Sequence, residues 1–270
     1  MKLRKIIALF IALVTLITCL TSCGKSFEER MEKAEEDFRS NPYRVGVSID
    51  LSCSDSELAG VFEELENNTA AVYFAGGSFK STSNTKITVE GVGVYDFNTS
   101  CVAKDGILCV NHSYTEPDGT AVMGGKNWVK ITSDEQRTVA RKLCLVGGIT
   151  ADDFGAVAVS KVKKKKVLAT YTEPTVNVRI VLEKMIIDLL EFQCDKVSVK
   201  DASLTVELYK DRYKSATVEC EYDITVSGIT CTLRAAVRLD FSTDGEFDIS
   251  YPSDAENYKE AELGEIIDLL

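Results

Sequence analysis

The sequence is poor in the residues that most catalytic and metal sites require. It has one histidine, His112, four prolines and one tryptophan in 270 residues, and none of its nine cysteines stands in a C-x-x-C pair. No G-x-S-x-G motif, phosphate-binding glycine loop or calcium loop occurs in it. A lone histidine near a strand end is typically solvated. We therefore predict a protein that is not an enzyme, with no catalytic residue, no metal ligand and no cofactor.

The sequence also lacks an apolar run long enough to span a membrane. Its longest run, Ile6 to Leu20, has 15 residues and follows the basic residues Lys2, Arg4 and Lys5. A spanning helix needs about 20 apolar residues. A basic start, a short apolar run and small residues after it are typical of a signal peptide. Residues 1–22 are therefore predicted to be a signal peptide and not a transmembrane anchor.

The end of this segment carries a more specific motif. Leu20-Thr21-Ser22-Cys23 resembles the lipobox of bacterial lipoproteins, in which a small residue precedes a cysteine that is acylated and becomes the new N-terminus. Cys19 fits less well, because Thr18 is larger than that small residue. The resemblance implies lipidation at Cys23 and a lipid-anchored protein on the extracytoplasmic face of the cell membrane, since two acyl chains hold durably. The alternative is an ordinary secretory signal cut nearby.

Charge excludes one class of partner. Removal of residues 1–22 reduces the basic residues from 31 to 28 against 42 acidic ones, a formal charge of −14. Such a surface repels nucleic acid and anionic lipid. The run Lys161 to Lys166, with five lysines, is the basic exception. Interpreted as part of a strand, it is a charged sheet edge that resists pairing; the alternative is a contact for anionic headgroups or an anionic envelope polymer.

Seven cysteines follow Cys23, an odd number that cannot all be paired. A two-residue turn at Asp105-Gly106 would set residue 102 opposite residue 109, so Cys101 and Cys109 should point to opposite faces of a sheet and not form a disulfide. Other cysteines fall on apolar strand faces, where a thiol behaves as a small hydrophobe. Buried thiols are therefore expected.

The domain organisation follows from capping signals and from the lack of a linker. Ser26 and Glu29 form a capping box that predicts a helix ending near Asn41-Pro42. Residues 23–42 are assigned to the anchor and this helix. Residues 43–270 are assigned to a single β-rich domain, because no Pro/Gly/Ser-rich segment divides them. The helix begins three residues after Cys23, so the domain should lie close to the membrane.

Alternating apolar residues predict strands over most of the chain, near residues 43–53, 70–80, 86–97, 100–104, 107–114, 127–131 and 215–241. A two-residue turn at Ser227-Gly228 would pair 226 with 229, 224 with 231, 222 with 233 and 220 with 235. A three-residue loop at 243–245 would then place Phe241 opposite Phe247 and Leu239 opposite Ile249.

Helical periodicity appears at residues 58–65, at 133–144 with Ser133 as the cap, and at 175–192. In the last helix the apolar stripe comprises Val178, Val181, Leu182, Met185, Ile186 and Leu189. This helix is either packed as plain core or acts as a lid over a hydrophobic cavity. The predicted fold class is α+β, a curved antiparallel sheet (an unclosed β-barrel) with helices covering its concave apolar face.

A signal-bearing chain with long antiparallel strands, a "KDGILCV" hairpin, "NWVKI" and a closing "FDISYPSDAENY" resembles the LolA/LppX superfamily of unclosed β-barrel lipoprotein carriers, over residues 43–258. The resemblance implies a concave apolar face that holds acyl chains. Strand parity and helix periodicity select the lining residues Val218, Tyr222, Ile224, Leu233, Val237, Met185 and Ile186.

We therefore expect a lipoprotein that binds a lipid or other hydrophobic ligand. The rival is a structural or protein-interaction lipoprotein of the cell envelope with no ligand. A two-lobed solute receptor would need a parallel sheet, which successive hairpins disfavour.

Overall fold

The structure is a computed structural model that describes residues 26–56, 59, 69–89, 93–143, 149, 151–163, 165–189, 194–226, 228–244 and 248–268. The predicted signal peptide and Cys23 lie outside the described residues, as does nearly all of the helix predicted over 58–65.

The described strands form one large sheet. They are β1 Tyr43–Cys53, β2 Thr69–Ala75, β3 Ser78–Val89, β4 Gly93–Lys104, β5 Ile107–Thr115, β6 Ala121–Lys130, β7 Phe154–Lys163, β8 Lys166–Pro174, β9 Cys194–Tyr209, β10 Tyr213–Val226, β11 Ile229–Ser242 and β12 Lys259–Glu260. Their order is β12-β6-β5-β4-β3-β2-β1-β11-β10-β9-β8-β7. All neighbours are antiparallel except β12 and β6, which are parallel. The protein is therefore mostly β, with a curved sheet that is not closed.

The hairpins with two-residue turns have the predicted register. In the β10–β11 hairpin, Val226 pairs with Ile229 and Tyr222 with Leu233. In the β4–β5 hairpin, Cys101 pairs with Val110 and Val102 with Cys109, so the two thiols do point to opposite faces. Asp105 and Gly106 both have positive φ, at 50° and 76°, as a tight hairpin turn of this twist requires. Turn chemistry therefore fixes register locally.

The predicted hairpin after β11 is wrong. Residues 248–250 form no strand, and the sheet position beside β11 is taken by β1, with Val45 opposite Phe241 and Val47 opposite Leu239. Ile249 is buried elsewhere, and its carbonyl accepts a hydrogen bond of 3.2 Å from Lys104 Nζ. The segment after β11 therefore crosses the sheet instead of extending it.

Several strand boundaries also differ from the prediction. The stretch predicted as one strand over 86–97 includes the end of β3 and the start of β4, and the strand predicted over 100–104 is part of β4. The stretch predicted as a strand over 70–80 is broken at Gly76-Gly77, which have positive φ and form the β2–β3 turn. The lysine run is not one strand: β7 ends at Lys163 and β8 begins at Lys166, and these two residues pair. The run is therefore the end of a hairpin, whose outer strand β7 lies at an edge of the sheet.

The described α-helices are α1 Phe27–Ser40, α2 Ser133–Leu143, α3 Val176–Leu189 and α4 Leu263–Asp268. The capping box of Ser26 and Glu29 at the start of α1 is confirmed. At α2 the cap is Thr132 and not Ser133, because Thr132 and Glu135 exchange backbone-to-side-chain hydrogen bonds. Among the described helices, none has the length and apolarity that a membrane crossing would require.

One face of the sheet, called the apolar face below, carries the main core. A row across five strands shows it: Ile49, Val237, Val218, Leu204 and Tyr171 stand opposite one another in register. Helix α1 packs at one end of this face, where the Phe38 ring lies 5.1 Å from that of Tyr43 and 5.8 Å from that of Phe241, centroid to centroid. The apolar stripe of α1 thus belongs to the same core as the sheet.

Candidate functional site

Helix α3 is fixed to the apolar face at the end opposite α1. Its side chains Val178, Leu182 and Ile186 are buried in the core cluster. Tyr222 Oη of β10 donates to the Leu182 carbonyl at 3.4 Å. At the edge of the contact, Arg179 Nη1 donates to the Val199 carbonyl at 2.8 Å. These contacts join α3 to β9 and β10 by packing and by hydrogen bonds.

The predicted ligand-lining residues with described side chains all lie in the core cluster, and Tyr222 among them contacts α3. Each of those with a described side chain is at most 2% exposed: Val218, Tyr222, Ile224, Leu233, Val237 and Ile186. Burial also raises the pKa of the Tyr222 hydroxyl well above its ordinary value. The side chain of Met185 lies outside the described residues. In this structure the group is packed core, and its role in ligand binding stays a prediction.

Helix α3 is apolar on two sides. The predicted stripe is wrong at Val181, which is 45% exposed. On the side away from the sheet, Val176, Ile180 and Ile187 are 71%, 57% and 44% exposed. Successive members of this set are four and seven positions apart, so they form a stripe along the outer side of the helix.

A second feature of the apolar face, called the aromatic shelf below, comprises Tyr95, Phe97, His112 and Tyr114 on β4 and β5. The Phe97 ring lies 5.5 Å from that of Tyr114, 6.2 Å from that of His112 and 6.3 Å from that of Tyr95, with interplanar angles of 24–30°. All four side chains are half-buried. The Phe97 ring is therefore near-parallel to its three neighbours, and all four rings are partly open to solvent.

The shelf continues the core along the β4–β5 hairpin. Nearest the turn, Ala103 and Leu108 are fully buried, and Cys101 and Val110 are nearly so. Further from the turn on the same face, the pair Phe97 and Tyr114 is half-buried. Burial thus decreases along one face of the hairpin until the aromatic rings reach solvent.

The sequence prediction missed the shelf and placed His112 wrongly. His112 lies inside β5 and not at its end; its Nδ1 is 2.9 Å from Thr99 Oγ1 on β4. The sequence does contain a signal for the shelf, because the Asp105-Gly106 turn that pairs residue 102 with residue 109 also pairs residue 97 with residue 114. Extending that register would have found the facing rings.

An open depression of about 440 Å³ lies on the other, polar face of the sheet. It is lined by residues of β1, β9, β10 and β11 that include Asp50, Asp201, Glu219, Glu221 and Arg234. Arg234 Nε donates to Glu221 Oε2 at 3.1 Å, so the charges partly neutralise one another. The depression is distinct from the predicted cavity, which would lie on the apolar face.

Cysteine chemistry in the described part of the chain is that of buried thiols. Burial raises the pKa of Cys101 and of Cys220 to about 12 each, so both stay protonated at neutral pH. Cys53 Sγ and Cys231 Sγ lie 3.3 Å apart on neighbouring strands. Within the described residues, no group of three or more His, Cys, Asp or Glu side chains is placed to hold a metal ion.

Comparison with known proteins gives little. No family model matches the chain, and no curated protein matches it. Among solved structures, a β-barrel-like protein with a domain of unknown function from Brucella abortus has 10% identity and a TM-score of 0.27, covering 76% of this chain and 99% of its own. The beta domain of the Bordetella autotransporter Brka has 10% identity and a TM-score of 0.14, covering 75% and 99%. TM-scores of this size assign neither a fold family nor a function.

Proposed function

We propose that this chain is a lipid-anchored, extracytoplasmic, non-enzymatic lipoprotein that binds a lipid or other hydrophobic ligand on the apolar face of its sheet. The partly exposed aromatic shelf is the observation that carries the proposal. Aromatic rings bury 150–250 Å² each, and a ring left partly in water gains more from a hydrophobic ligand than a ring already in the core. The ligand contacts Phe97 and Tyr114, which face each other across β4 and β5.

The proposed architecture is that of an unclosed β-barrel of the LolA/LppX kind. Helices α1 and α3 cover opposite ends of the concave apolar face, with Phe38 and Leu182 as their central contacts. The ligand begins at the shelf and extends along this face toward the residues predicted to line it. Helix α3 is the element that would move to admit an acyl chain, because it lies over Tyr222 and Ile224.

A second candidate function, a structural or interaction lipoprotein without a ligand, is favoured by the packing of α3. Leu182 and Ile186 are fully buried, and the Tyr222 hydroxyl is satisfied by the helix backbone. A helix held in this way fills the face beneath it.

Binding of the fluorescent probe N-phenyl-1-naphthylamine tests the proposal. The full chain is purified in mild detergent, examined by native mass spectrometry for a co-purified lipid, and titrated with the probe. Phe97→Ala should weaken probe binding about tenfold, since it removes the ring at the centre of the shelf. Tyr209→Ala is the matched control, because Tyr209 is an aromatic residue with 45% exposure on another strand.

Equal loss of probe binding in both variants, or no binding and no co-purified lipid in the native chain, contradicts the ligand proposal and favours the structural role. The anchor is tested separately. Cys23→Ala should release the protein from the detergent phase or leave the precursor uncut; unchanged partitioning of a normally cut chain contradicts lipidation at Cys23.

A further inference from the structure

The first turn of α1 contacts the lysine-rich turn between β7 and β8. Arg30 Nη2 donates to the Lys165 carbonyl at 3.3 Å, and Arg30 Nε is 2.7 Å from Asp211 Oδ1. The Arg30 side chain is only 11% exposed, so it is held between the two hairpin turns. Residues that are 135 positions apart in the sequence are therefore neighbours.

This contact places the lysine turn near the predicted anchor. Cys23 precedes Ser26 by three residues, which span at most about 11 Å when extended. Arg30 follows Ser26 by four residues, or about 6 Å along a helix. With the length of the arginine side chain added, Lys165 lies within roughly 25 Å of residue 23.

The strand that leads into this turn is an open edge with exposed valines. In the described sheet β7 pairs only with β8. Val157 and Val159 are 53% and 45% exposed, although their partners Tyr171 and Ala169 are buried on the apolar face. Burial raises the pKa of Tyr171, and the carboxylate of Glu28 in the first turn of α1 raises it further, so the helix start lies near this part of the edge too.

The six residues Val157, Val159, Lys161, Lys163, Lys165 and Lys166 are called the basic edge below. By register Lys161 lies opposite Val167 and Lys163 opposite Lys166, and Lys165 is exposed in the turn. Lys166 forms an ion pair of 2.8 Å with Glu207. Other acids near the edge include Glu28, Asp152, Glu173 and Asp211, of which Asp211 is paired with Arg30. The edge is thus locally basic in a chain of net negative charge.

We propose that the basic edge lies against an anionic membrane surface, with its lysines on the lipid phosphates and its two valines in the headgroup region. This inference rests on the proposed lipidation of Cys23, which holds the edge within reach of the bilayer. Lysines attract anionic headgroups within about one Debye length. Contact with the membrane also covers an edge strand that would otherwise offer exposed valines and unpaired backbone groups to another sheet.

Lysine footprinting on membranes tests the proposal. The full-length chain is expressed in bacteria, reconstituted into vesicles of phosphatidylcholine with or without phosphatidylglycerol, and acylated with an amine-reactive reagent. Labelling is read by mass spectrometry. Lys165 should be acylated at least fivefold more slowly on phosphatidylglycerol vesicles than in detergent. Lys259 is the matched control, since it is exposed on β12 at the opposite edge of the sheet, and its labelling should not change.

A charge-reversed chain, Lys163→Glu with Lys165→Glu, should still float with the vesicles through its lipid, but Lys161 should be acylated faster than in the native chain on the same vesicles. Unchanged labelling of Lys165 in a chain that floats with the vesicles overturns the basic-edge inference and leaves the anchor intact. A chain that does not float refutes the anchor, and the inference falls with it. If the protection of Lys165 in detergent increases with protein concentration, two copies of the chain pair at this edge, and the membrane assignment is overturned as well.

Discussion

Replacement of Leu182 tests whether α3 is an integral part of the core. Leu182 is fully buried, and its carbonyl accepts the hydrogen bond from Tyr222. Leu182→Ala removes three buried carbons and leaves a cavity that the surrounding strands can fill only in part. Such changes cost about 2–5 kcal/mol. For a chain of this size 1 kcal/mol corresponds to roughly 2–4 °C, so the Tm should fall by roughly 4–20 °C.

Thermal unfolding followed by circular dichroism measures the effect, and Ile180→Ala is the control. Ile180 lies on the same helix but is 57% exposed, so its replacement should change the free energy of unfolding by no more than about 0.5 kcal/mol. If Leu182→Ala left the Tm within 1 °C of the native value, while amides of α3 exchanged rapidly with solvent, α3 would be a loosely held lid and the core assignment would be wrong.

Three further outcomes follow from local geometry. Thr132→Ala should destabilise the protein by about 1 kcal/mol in urea unfolding, because it removes the side-chain cap of α2, whereas Ser133→Ala should have little effect. Diamide should oxidise Cys53 and Cys231 to a disulfide, with a loss of two protons and two electrons, since their Sγ atoms are 3.3 Å apart. Peptide mass mapping detects the linked peptides, and a disulfide between Cys101 and Cys109 would contradict the register. The free energy of unfolding should be constant up to about pH 9 and fall toward pH 12. Burial raises the pKa of Cys101, Cys220 and Tyr213 to about 12 each, so the unfolded chain loses these protons at a lower pH than the folded chain does. A Tm that rises over this range refutes the burial of these groups.

Local turn chemistry explains which parts of the fold the sequence could predict. The β4–β5 and β10–β11 registers follow from two-residue turns, because a slip by one residue would move every apolar side chain to the wrong face. The hairpin predicted after β11 failed for the opposite reason. The true neighbour of β11 is β1, which begins at Tyr43, and nothing local in either strand specifies a pairing across almost 200 residues.

The turn in the lysine run could not be predicted from composition. Residues 161–166 contain no glycine, proline, asparagine or aspartate, which are the residues that are common in turns. Alternation alone therefore extended the strand through them, although Lys163 pairs back with Lys166. The position of this turn beside Arg30 of α1 was beyond sequence reasoning altogether, because it depends on how a helix crosses the assembled sheet.

The two ends of the apolar face differ in what a ligand would have to displace. Under α3, a ligand must break the contacts of Leu182 and Ile186 and the hydrogen bond of Tyr222 before it gains any of its own. At the shelf, Phe97 and Tyr114 are already partly exposed, so a ligand would bury ring surface without first removing protein contacts. For the ligand proposed above, the shelf is therefore the favoured first contact. Movement of α3 can follow only if the acyl chain gains more surface on the apolar face than the helix loses.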